Sequence, residues 1–228
     1  MHRAFFIAGT DTDVGKTTIA AGLLHAARLA GLSTAAVKPV ASGCERTEQG
    51  LRNSDALALL AECSLALDYA TVNPFAFEPA IAPHIAAREA GVELTVARLI
   101  EAVQPVMARQ AGVTLVEGAG GWRVPLNARE YLSALPAALG LPVILVVGVR
   151  LGCINHALLS AEAIARDGLA LAGWVANIID PATSRLDDNL ATLAELLPAP
   201  CLGQVPRLTA PTARQVARYL TLPALQPV

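Results

Sequence analysis

The segment Gly9-Thr10-Asp11-Thr12-Asp13-Val14-Gly15-Lys16-Thr17-Thr18 brings together residue types that bind polyphosphate. Gly15 lets the backbone approach a phosphate. The loop amides, with the start of a following helix, present N–H donors and a positive dipole end to the anion. Lys16 can reach β- and γ-phosphates, and the Thr17 hydroxyl can ligand Mg²⁺. The spacing is longer than the general P-loop: five residues, not four, separate Gly9 from Gly15. Asp11 and Asp13 are unusual inside such a loop, because a carboxylate repels a triphosphate unless a metal or a cationic ligand intervenes. They point to a second ligand bearing positive charge, such as an amine. Solvated loop residues or an Asx turn are the alternative.

The chain carries fifteen arginines but only two lysines, Lys16 and Lys38. A sequence that uses Arg wherever a cation suffices keeps Lys where a compact ammonium is needed. Lys38 opens Lys38-Pro39-Val40-Ala41-Ser42-Gly43 at the end of an apolar run. A lysine at the C-terminal end of a parallel strand points into the crevice where such sheets bind ligands. Ser42 reads as an anion donor or a turn residue. Asn53-Ser54-Asp55 reads first as a helix cap. Asp55 gains a second role only beside a metal. Glu117 ends a short apolar strand and runs into Gly118-Ala119-Gly120-Gly121. Thr17, Asp55 and Glu117 together would form the hard, all-oxygen site that Mg²⁺ prefers. Gly152-Cys153-Ile154-Asn155 opens a helix whose terminal amides favour a carboxylate or phosphate. Cys153 reads as a buried thiol and His156 as a capping or interface residue. Asn177, at a strand end, has the amide needed to read an adenine edge, or is a turn residue.

The elements that must position these residues alternate. Strands are expected at 3–8, 34–38, 113–117, 142–147, 171–178 and 201–205. Helices are expected at 16–30, 55–63, 95–110, 155–166 and 184–197, the third bent at Pro105. Alternation of this kind gives an α/β fold of the P-loop NTPase type, a mostly parallel sheet with helices on both faces, in a single domain over residues 1–228. The stretch 69–91 reads as a long excursion with a short helix. At 228 residues with 54% hydrophobic content, the chain buries a sizeable core without disulfides or metal staples. A net charge of −2 argues against a general nucleic-acid or anionic-membrane binder. The most apolar run, 139–149, is too short to span a bilayer. Four scattered cysteines lack a CxxC pair and the N-terminal apolar run does not read as a secretory leader, so reduced thiols in a cytoplasmic protein are expected. The residues alone thus describe a Mg²⁺–NTP enzyme with a cationic or amine co-substrate.

Several motifs in register resemble the dethiobiotin synthetases: Gly-Thr-Asp-Thr-Asp-Val-Gly-Lys-Thr from Gly9, Lys38-Pro-Val-Ala-Ser-Gly, Leu51-Arg-Asn-Ser-Asp-Ala and Asp68-Tyr-Ala-Thr-Val-Asn-Pro. Val116-Glu-Gly-Ala-Gly-Gly-Trp, Leu151-Gly-Cys-Ile-Asn-His and Ala172-Gly-Trp-Val-Ala-Asn complete the set. The resemblance covers residues 5 to about 208, and the long P-loop spacing is the one that family uses. Asp13 departs from the expected Glu, and 123–140 is shorter and more divergent. The resemblance implies a homodimer acting on 7,8-diaminononanoate, CO₂ and MgATP through a carbamate and a carbamic-phosphoric anhydride. It implies phosphate binding by residues 13–18 and metal binding by Thr17, Asp55 and Glu117. Lys38, Thr12 and Ser42 would serve the reacting end of the diamine, with Asp11 and Asp13 matching its ammonium groups. Gly152 to Asn155 would hold the distal carboxylate across the dimer. Asn177, with Pro206, Arg207 and Leu208, would take the adenine. A P-loop amidoligase and a partition-type switch ATPase are the rival readings. The first lacks room for a glutaminase domain, and the second lacks the extra loop lysine.

Overall fold

The computed structural model describes residues 2–223. In chain order the first half comprises β1 (Ala4–Gly9), α1 (Lys16–Leu29), β2 (Thr34–Val37), β3 (Val40–Ala41), β4 (Glu45–Thr47), β5 (Gly50–Arg52), α2 (Ser54–Ala61), α3 (Tyr69–Val72), β6 (Phe75–Ala76), α4 (Pro83–Glu89) and α5 (Val96–Met107). Next come β7 (Val113–Glu117), α6 (Ala134–Leu139), β8 (Val143–Val149), α7 (Cys153–Arg166), β9 (Leu171–Ile178), α8 (Leu186–Leu196), β10 (Cys201–Val205) and α9 (Ala213–Ala217). Six strands form one sheet in the order β10-β9-β8-β1-β7-β2, and every pairing in it is parallel.

Period-2 alternation sends the two faces of each central strand into separate cores. On β1, Phe5 and Ile7 pack with Ile19, Leu23 and Leu24 of α1, while Phe6 and Ala8 join the opposite core. Leu99, Val103 and Val106 of α5 and Ala157, Ala161 and Ile164 of α7 belong to that second layer. On β8 the continuous apolar run splits the same way, Ile144 and Val146 against Val143, Leu145, Val147 and Val149. β1 therefore lies at the sheet's centre, flanked by β7 and β8. Its C-terminal edge is the switch point where open α/β sheets take ligands.

The boundaries shift where capping overrides hydrophobic pattern. The α2 cap is Asn53, whose side chain accepts from the Ala56 N–H, so Ser54 is the first helical residue. Helix α7 starts at Cys153, not Asn155, because Gly152 takes a left-handed φ of 92° at its N-cap. The region 69–91 holds two short helices, α3 and α4, rather than one. The α5 helix runs to Met107 with Pro105 inside it. The β4–β5 hairpin and the helices α6 and α9 are additions that the sequence pattern did not give.

Candidate active site

The P-loop residues 10–15 connect β1 to α1 at the switch point. Gly15 holds φ 87° as the α1 N-cap, and an added Cβ would lie 2.3 Å from Asn177 Nδ2. Glycine is required there on both counts. Val14 is a core residue: its side chain fills the space above Gly9 and Gly148, where a Cβ on either would approach it within 2.8 Å. That packing seats the loop on β1 and β8. Lys16, nearly buried, folds back to donate to the Asp11 carbonyl at 2.9 Å. Burial lowers its pKa below the usual lysine value, with nearby Glu117 opposing.

Residues distant in sequence meet beside it. Lys38, 5% exposed at the end of β2, donates to Asp55 Oδ2 at 2.5 Å and to Glu117 Oε1 at 2.7 Å. The same Glu117 oxygen accepts from the Thr17 hydroxyl at 2.7 Å. Glu117 is fully buried, and its Oε2 has no hydrogen-bond partner. Burial acts to discharge Lys38, but the carboxylates of Glu117 and Asp55 outweigh it and hold the ammonium above its ordinary pKa. Asp55 is likewise opposed by burial, yet held below the usual carboxylate range by Lys38. A buried ammonium between two carboxylates is strongly tied, since removing either partner strands a charge.

The support for this cluster lies in residues to which the sequence reading gave no role. Asn73 donates from Nδ2 to the Lys38 carbonyl at 2.8 Å, and the Lys38 N–H donates to Val72 O at 2.7 Å. The Tyr69 hydroxyl accepts from the Asn53 N–H at 2.7 Å and donates to Asn73 Oδ1 at 3.0 Å. One tyrosine thus couples the backbone beneath Lys38 to the cap of the helix that carries Asp55. The motif Asp68-Tyr-Ala-Thr-Val-Asn-Pro contained these residues. Its signal was Asp68 capping a helix, which it does through the Thr71 N–H at 2.6 Å.

A second group gathers around Asn177 at the end of β9. A cleft of about 280 Å³ is lined by Asp13, Gly15, Thr18, Asn177, Pro206, Arg207 and Leu208 among others. Asn177 Nδ2 donates to the Val14 carbonyl at 2.8 Å, so the amide also braces the loop. On the far side of the P-loop, Gly120 and Gly121 approach Thr12 and the carbonyls of Gly9 and Thr10. Thr12 itself is exposed. Trp122 anchors that glycine loop, edge-on to Phe6 with ring centroids 6.0 Å apart and donating to Asp167 Oδ2 at 2.8 Å.

Three of these residues have surroundings that the sequence did not give. Asp11 does not stand free for an amine: its carboxylate accepts from Arg150 at 2.8 Å and from the Thr12 N–H at 2.7 Å. Asp13, left-handed at φ 57°, turns up in the cleft around Asn177. Ser42 is half-buried just after β3 and joins none of the hydrogen bonds around Lys38. Gly152 to Asn155 begin α7 with Cys153 buried in the core, as a structural thiol requires, while Leu151 beside them is 94% exposed. A larger groove of about 730 Å³, lined by His84, Arg88, Leu126 and Tyr131 among others, contains none of the residues singled out from the sequence.

Comparison with known proteins shows the family. Residues 3–215 match the model of a family described as an AAA domain. The ATP-dependent dethiobiotin synthetase BioD of Pseudomonas paraeruginosa is 77% identical over 96% of both chains. The enzyme of the same name from Cellvibrio japonicus is 60% identical over 98% of this chain and 97% of its own. The chain belongs to the ATP-dependent dethiobiotin synthetase family. It is an ATP-dependent ligase that makes dethiobiotin. Among solved structures, a ParA family ATPase from Chlorobium tepidum aligns with a TM-score of 0.55 at 13% identity, over 96% of this chain and 91% of its own. The septum site-determining protein MinD of Pyrococcus horikoshii aligns at 0.54 and 17% identity, over 90% and 82%. These likenesses establish the P-loop fold alone. The switch-ATPase and amidoligase readings are not favoured beside the close synthetase relatives. No helix among the described residues is long and apolar enough to cross a membrane.

Proposed function

We propose that the ligase reaction takes 7,8-diaminononanoate, CO₂ and ATP to dethiobiotin, ADP and phosphate. One substrate amine adds to CO₂ and loses a proton to form a carbamate. A carbamate oxygen attacks the γ-phosphorus, ADP departs, and a carbamic-phosphoric anhydride results. The second amine attacks the carbonyl carbon, closing the ureido ring and expelling phosphate. Phosphoryl transfer of this kind asks a protein mainly for positioning and charge neutralisation.

The observation that carries this reading is the buried Lys38 ammonium, fixed at the C-terminal edge of the sheet beside the P-loop. Held charged, it supplies a compact cation for the carbamate and for the charge that develops on the anhydride. Lys16 leaves the Asp11 carbonyl for the β- and γ-phosphates, while the amides of residues 13–18 cradle them. Thr12 and Ser42 hydrogen-bond the reacting end of the diamine. Gly152 to Asn155 hold its distal carboxylate, supplied across a homodimer. The exposed Leu151 beside that turn agrees with burial against a second copy.

Asn177, with Pro206, Arg207 and Leu208, receives the nucleobase. Its Nδ2 gives one N–H to Val14, which leaves the second N–H and the Oδ1 acceptor for the base. One donor and one acceptor together suit an adenine edge, which offers a ring-nitrogen acceptor beside its exocyclic amino donor. Thr17, Asp55 and Glu117 would hold Mg²⁺, to which the unpartnered, buried Glu117 Oε2 is well matched. Two carboxylates and a hydroxyl, completed by phosphate oxygens and water, are the usual protein share of a magnesium site. The ion's chemistry is neutralisation of triphosphate charge. Four free cysteines agree with a cytoplasmic location.

The test is phosphate release with MgATP and bicarbonate, with and without the diamine, followed by mass analysis of the product. The proposal requires diamine-dependent release and a product of dethiobiotin mass. Hydrolysis indifferent to the diamine defeats it.

A further inference from the structure

The puzzle of a carboxylate inside the phosphate loop has an answer 139 residues away. Asp11 makes three separate contacts. Its Oδ2 accepts from Arg150 Nη2 at 2.8 Å, its Oδ1 accepts from the Thr12 N–H at 2.7 Å, and its backbone carbonyl receives Lys16 Nζ at 2.9 Å. Arg150 immediately follows β8, the strand that pairs with β1, so both strands aim their ends at the same loop. The two side chains are 45% and 46% exposed. Without Arg150, Asp11 would present an uncompensated negative charge beside the amides that take phosphate, and like charges oppose one another.

We propose that Arg150 is a positioning and charge-compensating residue for nucleotide binding: by neutralising Asp11, it lets the loop keep the carboxylate that shapes residues 11–16 without repelling the triphosphate. This rests on the reading of the P-loop as the nucleotide site. The cation that balances Asp11 then belongs to the protein, not to the diamine. Arg150 acts through Asp11 and need not touch phosphate.

The claim is tested by titration calorimetry of MgATP at about 0.05 M and 0.5 M salt, with wild type, R150M, D11N and the double variant D11N/R150M. R150M is expected to bind MgATP about three- to fivefold more weakly at low salt, the range of a half-exposed pair. The deficit shrinks at high salt as screening shortens the reach of Asp11. D11N/R150M is expected to return to within about twofold of wild type, because removing the carboxylate removes what Arg150 compensates. Asn can still accept from the Thr12 N–H, so the loop keeps its local cap. The diamine KM of R150M is expected not to rise. Wild-type affinity of R150M at low salt overturns the inference. So does a double variant as weak as R150M, which would make Arg150 a direct phosphate ligand or a fold element. Failure of the wild type to bind MgATP defeats the nucleotide reading itself, and this inference with it.

Discussion

Tyr69→Phe isolates the link that couples the Lys38 strand end to the Asp55 helix. The ring remains, so the Arg52 guanidinium keeps its place 4.3 Å from the ring centroid. Only the hydroxyl is lost, and with it the bonds to the Asn53 N–H and Asn73 Oδ1. Asn53 is 6% exposed and Asn73 3% exposed, so water has little access to the groups left behind. An unsatisfied buried donor costs about 1–3 kcal/mol, and about 2 kcal/mol is the central expectation here. For a chain of this size that lowers Tm by about 4–8 °C. The Lys38 carbonyl remains tied to Asn73 Nδ2, but Asn73 is no longer oriented from its other end. With Lys38 and Asp55 less exactly held, kcat for dethiobiotin formation is expected to fall about tenfold. The P-loop is untouched and only the Asp55 side of the metal site is loosened, so the affinity for MgATP should fall by less than about threefold. Thermal unfolding, steady-state kinetics and nucleotide titration together form the assay. An unchanged Tm with full kcat would refute the coupling. A loss in MgATP affinity as large as the loss in kcat would refute the separation between this network and the phosphate loop.

Asp167→Asn should weaken the anchor of the glycine loop, since Asp167 accepts from Trp122 and from both terminal nitrogens of Arg123. Arg123 is partly exposed, so a loss of about 1–2 kcal/mol at pH 7 is expected, read as a lower Tm. Asp167 is opposed by burial but held below the ordinary carboxylate range by Arg123 and Trp122. Its folded pKa is depressed, so its contribution is present above about pH 4 and disappears as pH falls through the folded value. The gap between wild type and variant should therefore be flat near neutrality and close below about pH 4; a gap that widens in acid would contradict the assignment. Gly15→Ala must accept φ 87° and a 2.3 Å approach to Asn177 Nδ2, so calorimetry is expected to show MgATP binding weakened more than about tenfold; retained affinity would show that the Gly15–Asn177 contact does not shape the site.

How far the sequence carried this account depends on the range of each interaction. The strand–loop–helix unit around Lys16 was legible because its signals are local: an apolar run, glycine and then a helix start. The six strands of the sheet were legible for the same reason. Lys38 was singled out by lysine scarcity and its place at a strand end, and the structure sets it beside Asp55 and Glu117. That meeting depends on β2 and β7 pairing in parallel register, Val37 opposite Val116, which sequence spacing does not encode. The Arg150–Asp11 pair is hidden for the same reason. The hairpin β4–β5 is short and largely exposed, so it lacks the hydrophobic alternation that announces a strand. Tyr69 and Asn73 escaped because a tyrosine and an asparagine in a proline-rich excursion carry no periodic signal. Their role appears only when α3 packs beneath β2.

The central claim is that a buried, charged Lys38 serves the chemistry and not the binding of nucleotide. Lys38→Met, which removes the ammonium and keeps most of the side-chain volume, tests it most directly when MgATP titration is run beside diamine-dependent phosphate release. The account predicts MgATP affinity within about threefold of wild type and turnover reduced at least about a hundredfold, the scale on which a lost charge-stabilising group is felt. Turnover near the wild-type rate in a variant that still binds MgATP would contradict it and remove Lys38 from the mechanism.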